Sequence, residues 1–340
     1  MVSSVGRKIT ALVAVVLLCL TASCQARRGQ EQGRVVVAYV TSWSQGTPDP
    51  TVMTHINYAF GKVTASHDAV SVDNPDRLHG IVALKRQNPR LKVLLSVGGW
   101  GAGGFSEMAA SQDTRERFCA SCAQVASEFG LDGIDIDWEY PGSNAAGISS
   151  SPADKEHFTL LMRDLRKALG DSLLLTLATA ATGDFYDFPA FVDEVDFVNM
   201  MTYDMGGAPQ HHAPLHNSER FQGLSCEKAM QAHLRQGVPA GKLVLGLPFY
   251  GRGTQAVGNF CDYRDVARLT DYTRQRDKQA HVPYLTDQEG RVVLGYDDAR
   301  SLKGKCKFAR KHHLRGVMYW DYHGDDGQGT LRNAVWKGMH

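Results

Sequence analysis

The sequence predicts a single (β/α)8 barrel of the α/β class, and three observations carry that expectation. Eight short apolar, β-branched runs recur along the chain, most are separated by stretches long enough for a helix, and the runs are continuous rather than alternating in polarity. Continuous apolar strands belong to parallel sheets covered on both faces, and eight βα units are the number that closes a barrel. A doubly wound open sheet is the competing arrangement. Its glycine-rich phosphate loop after the first strand is missing here, where Ala38-Tyr39-Val40-Thr41-Ser42-Trp43 stands instead.

Residues 1–24 are read apart from the fold. Arg7 and Lys8 precede an apolar run from Ile9 to Leu20. A bilayer span needs about 20 apolar residues, so this shorter run suits the core of an export signal. It ends in Leu20-Thr21-Ala22-Ser23-Cys24, which is similar to a bacterial lipobox and makes Cys24 the expected lipidation site; ordinary cleavage near Ala26 is the alternative. Residues 25–34 then read as a polar tether and 35–340 as the barrel. The expected localisation is outside the cytoplasm, at the cell envelope or secreted, with the membrane reached only through the lipid.

Within 35–340 the expected strands are 35–40, 55–60, 91–97, 133–138, 173–178, 195–202, 243–247 and 316–320. Helices are expected over 77–87, 115–129, 153–169 and 226–236. The gap between the seventh and eighth strands is irregular. A small α+β, β-rich insertion is predicted at about 254–312, from turn residues Gln288-Glu289-Gly290, the run Val292-Val293-Leu294 and a helix over 301–312.

Charge narrows the partners. Lys and Arg number 37 against 36 Asp and Glu, a formal net charge of +1, without the concentrated basic surface that phosphate binding needs. No nucleic-acid partner is expected. Beyond Cys24 the five cysteines Cys119, Cys122, Cys226, Cys261 and Cys306 are an odd number, and in a chain this long they read as small buried apolar residues rather than a disulfide framework. His211-His212 and His312-His313 lack the spacing of a helical zinc site. The first pair reads as loop residues near a cleft, and the remaining histidines as surface. No cofactor or metal is expected, and a monomer is.

The most informative stretch is Leu131-Asp132-Gly133-Ile134-Asp135-Ile136-Asp137-Trp138-Glu139-Tyr140-Pro141. Side chains alternate faces along a strand, so Asp135, Asp137 and Glu139 share one face and Ile134, Ile136 and Trp138 the other, with Trp138 packing toward the helices. A row of carboxylates inside a barrel is costly unless protons or hydrogen bonds are shared. Hard cations take clustered carboxylates, but the supporting Asn, Gly and loop pattern is missing. Acid/base chemistry remains. Glu139 lies last, at the rim that hosts barrel active sites, and repulsion from Asp137 raises its pKa. Asp135 is expected to share a proton with Asp137, so that the row titrates as a set.

Together these residues carry a resemblance. Asp132-x-x-Asp135-x-Asp137-x-Glu139 followed by Tyr140-Pro141 resembles the signature of glycoside hydrolase family 18, the retaining chitinases. Leu95-Ser96-Val97-Gly98-Gly99-Trp100, Met201-Thr202-Tyr203-Asp204 and Gly316-Val317-Met318-Tyr319-Trp320 resemble its third, sixth and eighth strand ends, in order. The resemblance implies hydrolysis of β-1,4-linked N-acetylglucosamine in chitin or chitooligosaccharides without a protein nucleophile. Glu139 is then the acid/base, Asp137 orients the substrate acetamide, Asp135 positions Asp137, and Tyr203 holds the acetamide oxygen. Met201 and Asp204 line the same site, and Trp320 floors it. Tyr39, Phe60, Gly99, Trp100, Tyr140 and Arg252 are expected to contact substrate.

Trp43, Trp100 and Trp320 fall at expected strand ends, where aromatic faces suit the C–H faces of sugars; capping of the barrel core is the other reading of Trp43 and Trp100. Many family members carry a further tryptophan after the Met-x-Tyr-Asp segment, whereas Gly206-Gly207-Ala208-Pro209-Gln210 follows here. Soluble oligomers are therefore expected as substrates ahead of crystalline chitin. The alternatives are an endo-β-N-acetylglucosaminidase acting on N-glycan cores and a chitin-binding lectin, against which Glu139 speaks.

Overall fold

The computed structural model describes residues 33–340. The signal segment, Cys24 and all of the tether but Gly33 and Arg34 lie outside the described residues. Val35–His340 forms one compact unit. Its strands are β1 (Val35–Thr41), β2 (His55–Val63), β3 (Val70–Val72), β4 (Lys92–Gly98), β5 (Gly133–Asp137), β6 (Leu174–Ala180) and β7 (Phe197–Met201), continuing with β8 (Leu243–Pro248), β9 (Tyr250–Gly253), β10 (Phe260–Asp262), β11 (Thr273–Asp277), β12 (Val282–Thr286), β13 (Val292–Gly295) and β14 (Gly316–Trp320).

Eight of these run parallel around a closed ring, β1-β2-β4-β5-β6-β7-β8-β14, with β14 pairing back onto β1. The ring is the expected (β/α)8 barrel. β3 is an addition, a short antiparallel partner on β2. Between β1 and β2 the chain makes a single 3-10 turn, Pro50–Val52, where an eightfold repeat would place an α-helix.

Strand alternation sets the two cores. Val35, Val37 and Tyr39 of β1 point inward with Phe197, Val244 and Met318, while Val36, Ala38 and Val40 join the larger layer between barrel and helices. Trp138 follows the outward series. It is buried and stacked at 5.3 Å on Phe105, with Phe158 at 6.1 Å. The helix Gln112–Phe129 starts ahead of the expected 115 because the Ser111 side chain caps the amide of Thr114, and it stops at Gly130, whose φ of 67° favours glycine. All five described cysteines are free and buried.

The insertion is a five-stranded antiparallel sheet, β10-β9-β13-β12-β11, so it begins at Tyr250 and ends at Gly295. The helix that follows, Ala299–Lys311, packs against β8 and β14 and belongs to the barrel's outer ring.

Two histidines depart from the expected surface positions. His55 opens β2 beside Phe197, and His233 lies on the inward face of the helix Cys226–Arg235, hydrogen-bonded to Thr179 and to the Ala229 carbonyl. Burial holds them neutral, at pKa values of about 3 and about 4.

Candidate active site

The carboxyl ends of the barrel strands open into a cleft of about 820 Å³, in the place where barrel enzymes keep their chemistry. Asp137, Glu139 and Tyr203 line it, together with Tyr39, Phe60, Trp100, Tyr140, Met201, Asp204, Arg252 and Trp320. Gly99 is the predicted contact that does not. Its φ is +94°, and a Cβ there would meet the Phe60 ring at 2.6 Å. Gly99 also donates its amide to the Asp137 carbonyl at 2.9 Å, so it ties the end of β4 to β5 and seats Phe60 instead of touching the cleft.

The acidic row behaves differently at each level. Asp132, at the bottom of β5, accepts the Val93 amide at 2.9 Å and pairs with Lys85 and Lys92, a structural duty. Asp135 is fully buried and takes four donors: Thr176 Oγ1 at 2.5 Å, Ser96 Oγ at 2.8 Å, Tyr39 OH at 2.9 Å and Asn199 Nδ2 at 3.1 Å. Burial raises its pKa and these bonds pull it back. Four donors from four strands suit a carboxylate, and none of Asp135's hydrogen bonds runs to Asp137. The expected shared proton is therefore replaced by neutral donors, and Asp135 acts on Asp137 through its charge.

Asp137 is buried and its Oδ1 has no hydrogen-bond partner, an expensive state for an oxygen unless something else meets it. Burial, then Glu139, then Asp135 push its pKa well up, opposed by Lys62. Glu139 is half-buried at the rim. Burial and the charge of Asp204 raise it, against the Tyr140 hydroxyl, to about 7. Near neutrality the Asp137–Glu139 pair thus keeps a proton that isolated carboxyls would have lost.

Around this pair the walls are aromatic. Trp320 stacks on Phe60 at 5.6 Å and tilts against Tyr39 at 5.7 Å. Trp43 and Trp100 are 61% and 64% exposed, so they face the cleft and do not cap the core. Tyr140 stacks on Phe185 at 4.7 Å. The Tyr203 hydroxyl meets the Met318 sulfur at 3.9 Å, a weak acceptor that leaves the group ready for a better one. Arg252 is committed to Asp204 through bonds of 2.7 and 2.6 Å. Against a raising contribution from burial, Arg252 and then His212 hold Asp204 well below the usual carboxylate range.

His211 and His212 lie on the loop after β7, as expected, but both are buried. His212 Nδ1 is 3.4 Å from Asp204, and His211 Nε2 is 3.1 Å from Asp277 of the inserted sheet. Sequence reasoning also missed Lys62, Tyr250, Asn259 and Phe260. Lys62 donates to the Gly98 carbonyl at 2.7 Å and lies 4.7 Å from the Phe60 ring centre; a lone lysine continuing the second apolar run was its signal. The other three line the cleft and stand at or within the insertion, where no strand period marks them. The donors to Asp135 had a signal, since Ser96, Thr176 and Asn199 are polar residues set among apolar ones on their strands.

A half-buried carboxyl at the rim, a second carboxyl with an open oxygen and an aromatic floor can bind a neutral polyol ring and protonate an ether-type oxygen. Known proteins resemble the chain over most of its length. Residues 35–325 match the family model of the glycosyl hydrolases family 18. Chitinase A1 of Niallia circulans is 30% identical over 88% of this chain, which spans 58% of that protein's length. Chitotriosidase-1 of Mus musculus is 32% identical over 88% of this chain and 75% of its own. Among solved structures, a family 18 N-acetylglucosaminidase from Paenibacillus barengoltzii superposes with a TM-score of 0.81 at 34% identity, covering 90% of this chain and 100% of that one. With the family model matched over nearly the whole barrel, the chain belongs to the glycosyl hydrolases family 18.

Proposed function

We propose that the protein hydrolyses β-1,4 linkages of N-acetylglucosamine oligomers and polymers with retention of configuration. The observation that carries this reading is the Asp137–Glu139 pair beneath the Trp320–Phe60 aromatic floor. Glu139, with its pKa near 7, protonates the leaving oxygen and later takes a proton from water. In the reactive form the pair's proton sits on Glu139 and leaves Asp137 charged. Its unpartnered oxygen suits the N–H of a substrate acetamide, whose carbonyl oxygen attacks the anomeric carbon to give an oxazolinium ion. Asp137 then carries the charge that balances this cation, Asp135 holds Asp137's field in place, and Tyr203 donates to the acetamide oxygen.

The names of the relatives support this substrate class, chitinase A1 and chitotriosidase-1 among them. For location we propose export and attachment through Cys24, supported by the apolar run and small-residue approach to that cysteine.

Incubation with chitotetraose and, separately, with a high-mannose glycoprotein tests the substrate. Short N-acetylglucosamine products from the first and an unaltered glycoprotein are expected. Glycan release with intact chitotetraose would overturn the assignment.

A further inference from the structure

Near neutrality the Asp137–Glu139 pair holds one proton, and where that proton sits decides whether the site can react. On Glu139 it serves the leaving oxygen and leaves Asp137 charged; on Asp137 it removes both the acid and the charge. Asp135, two residues below on β5, presses toward the unproductive arrangement, because its charge opposes a second one on Asp137. A cation is needed to counter it. The nearby tyrosines offer no charge of either sign: burial holds Tyr39, Tyr140, Tyr186 and Tyr203 protonated, with hydroxyl pKa values pushed far up. Asp204 acts from the other side, since its charge favours a protonated Glu139.

Lys62 stands where such a countercharge would act. It is half-buried on β2 and forms no ion pair among the described residues. Its ammonium donates to the Gly98 carbonyl at 2.7 Å and rests 4.7 Å from the Phe60 ring centre. Gly98 is the β4 residue in register with Asp137, and the Gly99 amide next to it holds the Asp137 carbonyl at 2.9 Å. The carbonyl and the ring therefore pin a positive charge at the β4–β5 seam, beside Asp137. Holding an unpaired ammonium there is costly. Burial lowers its pKa, while Asp73, just past β3, and Asp137 support its charge. Lys62 does not line the cleft, so it reaches the reaction only through Asp137. We infer that Lys62 is a positioning residue whose fixed charge keeps Asp137 ionised and the shared proton on Glu139. This inference rests on the mechanism proposed above.

Rate–pH profiles on chitotetraose test it in two variants. Lys62→Met keeps the apolar stem, and Lys62→Gln keeps a donor for the Gly98 carbonyl without the charge. In both, kcat falls about 3- to 10-fold near neutrality and the acidic limb moves up by about 0.5–1 pH unit. The sign follows from the charge: without the cation, Asp137 takes its proton at higher pH. KM stays close to the parent value, because Lys62 touches no substrate. Lys62→Arg, which keeps the charge, returns the acidic limb toward the parent. Lost rate with an unmoved limb, or a limb moved in Lys62→Met but not in Lys62→Gln, overturns the charge role and leaves the substrate reading standing. Parent protein that leaves chitotetraose intact overturns the substrate reading itself.

Discussion

Glu139→Gln lowers kcat on chitotetraose by about 10³-fold, within the range for loss of a general acid/base. Glutamine keeps the shape and a hydrogen-bonding carbonyl but has no proton to give at the rim of the barrel. The tyrosines and tryptophans of the cleft are untouched, so KM stays close to its original value. The same substitution stabilises the fold at alkaline pH, and the sign follows from the raised pKa. Glu139 ionises near pH 4.5 when unfolded and at about 7 when folded. Between these values the folded state binds the extra proton, so stability falls as pH rises and the full cost is present above 7. With partial exposure of the group taken into account, that cost is about 1–3 kcal/mol. Thermal melting at pH 8 therefore shifts upward in Glu139→Gln and hardly moves at pH 4, where both states are protonated. An active variant would remove Glu139 from the chemistry, and a lower melting point at pH 8 would contradict its raised pKa.

Asp137→Asn lowers kcat by about 10²- to 10³-fold, the scale of removing one preorganised electrostatic contact. Asparagine still offers an oxygen to the acetamide N–H, so ground-state binding survives while the charge that balances the oxazolinium is gone. The defect lies in kcat and leaves KM largely alone. The pH–rate profile also changes shape, because the joint titration of the pair is lost with the Asp137 carboxyl. Steady-state kinetics from pH 4 to 9 reads both effects. A variant whose KM rises with kcat unchanged would make Asp137 a binding residue only.

The barrel and the acidic row were legible because both rest on strand periodicity. The alternation that sends Ile134, Ile136 and Trp138 into the helix layer sends Asp135 and Asp137 into the barrel and Glu139 to its rim, and a two-residue period is written in the sequence. Pairwise facts across the ring were not. Asp135's four donors come from β1, β4, β6 and β7, segments up to 160 residues apart when Tyr39 meets Asn199. No local pattern states that they converge, so a proton shared with Asp137 looked like the available remedy for a buried charge. Gly99 was read from its motif as a contact, although its positive φ and the Phe60 ring pressed against its Cα give it a packing role. His55 and His233 looked like surface residues because burial of a neutral imidazole depends on what packs over it. Phe260 carried no sequence signal at all. Its place in the cleft depends on the inserted sheet, whose position no local pattern announces.

We propose a double displacement carried out by Glu139 and the substrate's own acetamide, with Asp137 as helper. Proton NMR of the first products released from chitotetraose, recorded before mutarotation, tests it most directly. Retention predicts that the new reducing ends appear first as the β-anomer and drift toward the α/β equilibrium. Initial appearance of the α-anomer would mean direct attack by water and would contradict the mechanism.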